Sequence, residues 1–498
     1  MNNYYTPNQP DQVLKSDLAG ELPLYLYWPQ DKKTLLYSKS ITELLNDSRG
    51  PKSLKVSGEG ISFLLQSGVV PPPKTAYQDI YIVSIGDTAN VHTVNGKVEV
   101  TFQHEFPFMN ANRLQPDEMQ PDEDLILEML AEATISRIDE SKPSFLFHSA
   151  GKDSNSIALA LAEAGWQDKV TLITHKSKGK ADESEISARI AKQLGFKHQI
   201  LHEVDQLQSG HKQTIENYFV NAPFPCTDNV SLAYPLYAEQ IPELKGANII
   251  DGGGNDVYMM TPPSSRDQKI IPISKYISKL STLRSFIPSE SIFIPLLRAP
   301  AEWCGMGGFS FLDTKNILKG AVNVYDYWNS ESKKREDWDL FDFKTDLYAT
   351  TTISEVHMRK FRNFTDVMEA NSLTPFSNET VTKYFAKMPE EYLFDRKSLK
   401  NKLILRKILK ERLGLDSDAV GKMGWTYDSH SIVIHNWGYL TDEIYACTLW
   451  HQPGLVKLVN RLRNRMDGKG WGAGASGRLL YRIYLISAWF NYNTFLQR

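Results

Sequence analysis

With 498 residues, 41% of them hydrophobic and 23% charged, the chain is long enough to bury a large core and reads as an ordinary globular protein. A formal net charge of −3 gives no general electrostatic reason to expect a nucleic-acid or membrane partner. The three cysteines, Cys226, Cys304 and Cys447, form no Cys-x-x-Cys pair, which argues against a disulfide framework or zinc knuckle and for a reducing, cytoplasmic compartment. No stretch reaches the roughly 18 uninterrupted apolar residues of a membrane helix, since Arg482 interrupts even the run 479–490.

From residue 22 to 103, apolar runs such as Leu22-Pro-Leu-Tyr-Leu-Tyr and Ile80-Tyr-Ile-Val-Ser-Ile alternate with turn residues, and Asn95-Gly96 predicts a hairpin. Between 109 and 124 the chain turns polar and carries two Pro-Asp steps, at Pro116 and Pro121. A β-rich unit over 1–120 and a second unit over 121–498 are expected. In the second unit the periodicity changes. Leu127, Leu130, Ala131, Thr134 and Ile138 share a helical face over 124–139. Strand-type runs at 144–148, 170–174, 199–202 and 247–250 follow, with helices predicted over 155–164 and from 183 to the stop at Gly195. Strands alternating with helices make an α/β fold with a parallel sheet, whose ligands gather at the carboxyl ends of the strands. Two glycine-bearing loops lie at such ends, 149–154 and Gly252-Gly253-Gly254.

Ser149-Ala150-Gly151-Lys152-Asp153-Ser154 sits between a strand and a helix, where backbone N–H groups, a helix N-terminus and two hydroxyls suit phosphate oxygens. It lacks both the G-x-x-x-x-G-K-[ST] and the G-x-G-x-x-G spacings, so the mechanisms of those nucleotide loops do not transfer. It matches S-x-G-x-D-S. Asp256, in Asp251-Gly-Gly-Gly-Asn-Asp, follows a buried strand about a hundred residues on, and a second carboxylate across a phosphate site is what Mg²⁺ requires.

The first loop resembles the signature of N-type ATP pyrophosphatases, and the two loops together resemble asparagine synthetases. Further likeness lies in Ile61-Ser-Phe-Leu-Leu-Gln-Ser-Gly, Tyr77-Gln-Asp-Ile, Phe376, Met388-Pro-Glu-Glu and Lys402-Leu-Ile-Leu-Arg-Lys, and it covers nearly the whole chain. Gly421-Lys422-Met-Gly-Trp resembles the loop in which β-lactam synthetases and lasso-peptide cyclase-type relatives carry a catalytic lysine. The resemblance implies a parallel-sheet, HUP-like ATP-pyrophosphatase domain with a helical C-terminal part. It implies a shortened Ntn-hydrolase-like domain before it. It further implies ATP and Mg²⁺ as cofactors, with Asp153 and Asp256 on the metal and Ser149, Ala150, Gly151, Lys152, Asp153, Ser154, Gly252 and Gly253 around the phosphates. The adenine is expected near Leu172 and Thr174, and Lys422 is the expected charge-balancing group.

Departures from the family are equally informative. Glutamine-hydrolysing relatives use an amino-terminal cysteine, whereas the first cysteine here is Cys226, so glutamine hydrolysis is not expected. Where asparagine synthetases carry a glutamate and β-lactam synthetases a tyrosine, this sequence has Gly253. The resemblance places the helix that contains Glu355 and His357 near the acyl acceptor, which makes these two the candidates for the general base. The expected activity is ATP-dependent carboxylate–amine ligation through an acyl-adenylate. The carboxylate is a small molecule or peptide, and the amine lies in the same molecule, in free ammonia or in a second substrate. A non-catalytic ATP-binding scaffold is the alternative of another class. No nucleic-acid or membrane partner is expected, and a homodimer or a partner protein is left open.

Overall fold

The structure, a computed structural model, describes residues 4–51, 53–178, 182–421, 427–468 and 470–496, apart from the side chain of residue 471. The chain is mixed α/β. The amino-terminal part holds strands β1 (Tyr4–Tyr5), β2 (Gln12–Lys15), β3 (Leu24–Tyr27), β4 (Leu35–Ser38), β5 (Ile80–Val83), β6 (Asp87–Val94) and β7 (Lys97–His104). They form two antiparallel sheets, ordered β1-β4-β3-β5 and β2-β6-β7. The hairpin expected at Asn95-Gly96 joins β6 to β7; both residues take positive φ, 50° and 73°, as a two-residue turn of matching twist requires.

Beyond it, β8 (Ser144–Phe147), β9 (Val170–Lys176), β10 (Lys197–His202), β11 (Asn248–Ile250) and β12 (Asn371–Leu373) build a five-stranded sheet, all parallel, in the order β10-β9-β8-β11-β12. Alternate side chains enter alternate layers. Phe145, Phe147, Ile173 and Ile249 join one core cluster, while Leu146, Leu172 and Ile250 join another with Ile126, Leu130, Ile157 and Ile408 from three helices. Burial on both faces is why these strands read as continuous apolar runs.

The helix expected from 155 begins earlier, as Lys152–Glu163 with Gly151 as its N-cap, so Asp153 and Ser154 lie in its first turn. Strand β12 was not expected; Asn-Ser-Leu carries no apolar run, and it pairs only at the sheet edge. An 11-residue stretch, Tyr348–Met358, winds as a π-helix. The final helix, Trp471–Tyr492, is buried in the first core cluster, and among the described residues no helix is long and apolar enough to cross a membrane.

Residues on either side of 120 share that cluster: Phe63, Leu65, Ile80 and Ile82 pack in it with Trp328, Ile483 and Trp489. The N–H of Leu54 donates to the carbonyl of Phe495 at 2.8 Å. In the polar connection, Arg113 is buried and donates to the carbonyls of Phe385, Met388 and Tyr258, which fastens the segment to the second unit.

Candidate functional site

The order in which strands are added reverses at the centre of the sheet. The chain enters at β8, steps outward through β9 and β10, then returns to the other side of β8 as β11 and β12. The crevice outside the carboxyl ends of β8 and β11 is therefore the topological switch point, where such sheets bind ligands. Both glycine-bearing loops open there.

The loop after β8 is tied by its own hydroxyls. Ser149 N–H donates to Ser154 Oγ at 3.1 Å, Gly151 N–H donates to Ser149 Oγ at 3.0 Å, and Asn155 Nδ2 donates to the carbonyls of Ser149 and Gly151. Beneath it His148 meets Asn155 Oδ1 at 3.0 Å, and burial pushes the imidazole down to about 4, so it is neutral near pH 7. Ala150 N–H donates to Glu183 Oε2 at 2.8 Å. That carboxylate is buried, and desolvation raises its pKa against the pull of the Ala150 and Ser149 donors. A carboxylate thus stands on a loop whose N–H groups suit an anion.

The loop after β11 comes up against the first. A Cβ on Gly252 would lie 3.1 Å from both Asp153 Cβ and Ser154 N, so the absent side chain is what lets the two loops touch. Gly254 has φ of 104° and leaves no room beside Ser377, whose Oγ would be 1.8 Å from its Cβ. Gly253 N–H donates to Asp251 Oδ1 at 2.8 Å. Asn255 Nδ2 crosses to Asp153 Oδ1 at 2.6 Å.

The contact that joins the loops was not anticipated. Lys402 Nζ lies 2.6 Å from Asp153 Oδ2 and 2.9 Å from Asp256 Oδ1. Desolvation disfavours its charge, but the two carboxylates outweigh that and raise its pKa. Its backbone is left-handed, φ 58°, at the start of the helix Leu403–Leu413. Strain of this kind persists where surrounding structure over-determines it. The ammonium is 6% exposed, whereas the carboxylates are 27% and 35% exposed, so a cation from solution meets the carboxylates first. A two-carboxylate set suits Mg²⁺, which fills its remaining positions with water and substrate phosphates.

The remaining predicted residues divide. Lys152 is half-buried, within electrostatic reach of Asp418. Leu172 and Thr174 are fully buried; Leu172 packs in the core, and the Thr174 hydroxyl meets His198 Nε2 at 2.9 Å. Neither side chain reaches the surface of the crevice. Lys422 lies outside the described residues. Glu355 faces an ion cluster, held by Arg359 at 2.5 Å and Arg362 at 3.2 Å. Burial opposes its charge, but the two guanidiniums overcome that and keep its pKa below the usual carboxylate range, which makes it a poor base. His357, two residues on, meets Tyr348 edge-on at 6.3 Å and lies within electrostatic reach of Asp228. Tyr348 in turn senses Asp256. Of the two candidate bases, Glu355 is locked in ion pairs, whereas His357 lies beside Tyr348.

Compared with protein-family models and with curated proteins, the sequence matches none.

Proposed function

We propose that the chain is an ATP-dependent carboxylate–amine ligase of asparagine synthetase-like type, its parallel sheet a HUP-like ATP-pyrophosphatase domain and its amino-terminal part a shortened, inactive Ntn-hydrolase-like domain. The observation that carries this reading is the Asp153–Lys402–Asp256 cluster, which joins a Ser-rich phosphate-type loop to a second carboxylate loop at the switch point of the sheet. Bound Mg²⁺ would neutralise phosphate charge between Asp153 and Asp256. Ser149, Gly151, Lys152 and Ser154 would hold the phosphates, Glu183 yielding the Ala150 N–H to them.

A carboxylate oxygen of the substrate attacks the α-phosphorus, and pyrophosphate leaves. The amine nitrogen then attacks the acyl carbon, AMP departs, and the amine proton passes to His357. Lys402, with Lys422 from the sequence resemblance, balances the developing negative charge. The amine belongs to the same molecule, closing a ring, or to ammonia or a second substrate.

Calorimetry with ATP and Mg²⁺ on the wild type and on Asp153→Ala tests the first step, and pyrophosphate release with a panel of carboxylic acids tests the second. Asp153→Ala and Lys422→Ala should each abolish release; release that survives Asp153→Ala sinks the assignment. One feature favours a scaffold instead: Lys402 already fills the gap between the carboxylates. A wild-type chain that fails to bind ATP with Mg²⁺ would decide for that reading.

A further inference from the structure

A second cavity, of about 690 Å³, lies among Thr227, the helix Ser265–Ile277, the segment 289–308 and the start of the final helix. Four arginines line it: Arg266, Arg298, Arg478 and Arg482. Among the described residues none of the four has a carboxylate within ion-pair distance. The one acidic lining residue, Asp267, is taken by Lys344 at 2.5 Å, and nearby Glu302 holds Arg284 in a fork at 2.7 and 2.8 Å.

The arginines are built in. Arg266 and Arg298 lie over the ring of Trp303, each 5.3 Å from its centroid, and the buried Trp303 Nε1 has no hydrogen-bond partner. Arg482 is buried and donates to the Leu65 carbonyl at 3.1 Å. Burial first, then the like charges of Arg298 and Arg478, push it down to about 9. Two glycines make room. A Cβ on Gly307 would lie 2.2 Å from an Arg298 nitrogen, and one on Gly308 would lie 2.4 Å from an Arg482 nitrogen. Clustered guanidiniums that repel one another, with Glu302 acting on Arg298 only at a distance and no direct ion pair to a carboxylate among the described residues, are complementary to a ligand that brings its own anions. Apolar surface from Ile270, Ile292, Leu296 and Leu479 completes the wall, and the volume is that of a small-molecule site.

We propose that this cavity binds a small organic acid with an apolar body and at least two anionic groups, carboxylate or phosphate, held by Arg298 and Arg482 at the floor and Arg266 and Arg478 at the exposed mouth. Thr227 in its lining precedes Asp228, which faces His357 and Lys360, and Tyr348 lies among Asp256, Asp228 and Asp267. If the ligase reading holds, the cavity anchors the substrate's remote acid beside the activation site; that part rests on the reading above.

The test is calorimetry on the full chain with N-benzoylglutamate, N-benzoylglutamine, the neutral diamide of N-benzoylglutamate, phenyl phosphate and inorganic phosphate. N-Benzoylglutamate should bind with Kd below about 1 mM. Affinity should fall at least about tenfold from two carboxylates to none, and similarly in Arg298→Gln and in the exposed-rim double variant Arg266→Gln/Arg478→Gln, whose fold is checked by circular dichroism. Phenyl phosphate, which carries one anionic group, should bind more weakly than N-benzoylglutamate; tighter binding overturns the requirement for two anionic groups. Inorganic phosphate should bind more weakly than either organic probe. No binding of either organic probe at millimolar concentration, equal binding of the neutral diamide, or unchanged affinity in the folded rim variant overturns the proposal. Asp153→Ala leaves probe binding intact, and a wild-type chain that binds the probe but not ATP with Mg²⁺ overturns the ligase reading and not the cavity.

Discussion

Lys402 is where side-chain chemistry decides most. Its ammonium separates two carboxylates, and its left-handed backbone is stabilised by that contact rather than by propensity. Lys402→Met removes the ammonium that bridges Asp153 and Asp256, at a cost of about 1–3 kcal/mol given their partial exposure. Thermal melts should show a lowered Tm in chelator and a larger rise with millimolar Mg²⁺ than in the wild type; equal Mg²⁺ responses would mean that lysine and metal do not share the carboxylates. Nothing in the sequence announced this role. Lys402 is 249 positions from Asp153, and contact at that distance is written only in the fold. Asp153 and Asp256 were legible because each follows a buried strand within a glycine-bearing loop. Glu355 and His357 looked equivalent because the π-winding that separates their environments has no sequence signature here.

At the scale of elements, strands were legible from apolar runs and helices from period, while short edge pairing at β12 and the earlier start at Lys152 depended on neighbours. The close loop approach gives a prediction that separates binding from stability. Gly252→Ala forces the two loops apart by a few tenths of an ångström, so it should weaken ATP binding about tenfold or more while costing about 1 kcal/mol or less in stability. Gly254→Ala, with positive φ and a direct collision with Ser377, should cost about 2–4 kcal/mol. Denaturant midpoints and calorimetric affinities separate the two.

A second element-level device is His104, at the end of β7, which bridges Asp87 at 2.8 Å and the buried Asp346 at 2.9 Å. Burial disfavours its charge, but hydrogen bonds to the two carboxylates prevail and lift it to about 10. Since this lies above the unfolded value near 6.5, the folded state holds the extra proton between the two. The contribution is complete below about pH 6.5 and is lost as pH rises toward about 10, on the order of 5 kcal/mol in all. Urea midpoints from pH 7 to 10 should fall in the wild type and flatten in His104→Gln.

For the whole molecule, a composition read as two units predicts two bodies, yet the contacts cross the polar connection at many points. Arg359 donates to Tyr25 Oη at 2.7 Å, Arg362 to the Gly20 carbonyl at 2.9 Å, Arg137 pairs with Glu21 at 2.6 Å, and Tyr77 Oη donates to the Pro223 carbonyl. Phe63 packs edge-on against Tyr327 and Trp328, and Tyr77 packs at a tilt against Trp489. Most of these partners are buried, Arg137, Glu21 and Tyr327 in part, and removing one side leaves arginines and aromatic rings of the other uncompensated. Calorimetry of the full chain should therefore give one cooperative transition, with near-ultraviolet and far-ultraviolet circular dichroism coincident. Phe63→Ala, costing about 3–5 kcal/mol, should move that whole transition rather than detach an early one. A resolved low-temperature transition in Phe63→Ala, with ATP binding preserved above it, would show that the amino-terminal part melts on its own and that the shared core is not cooperative.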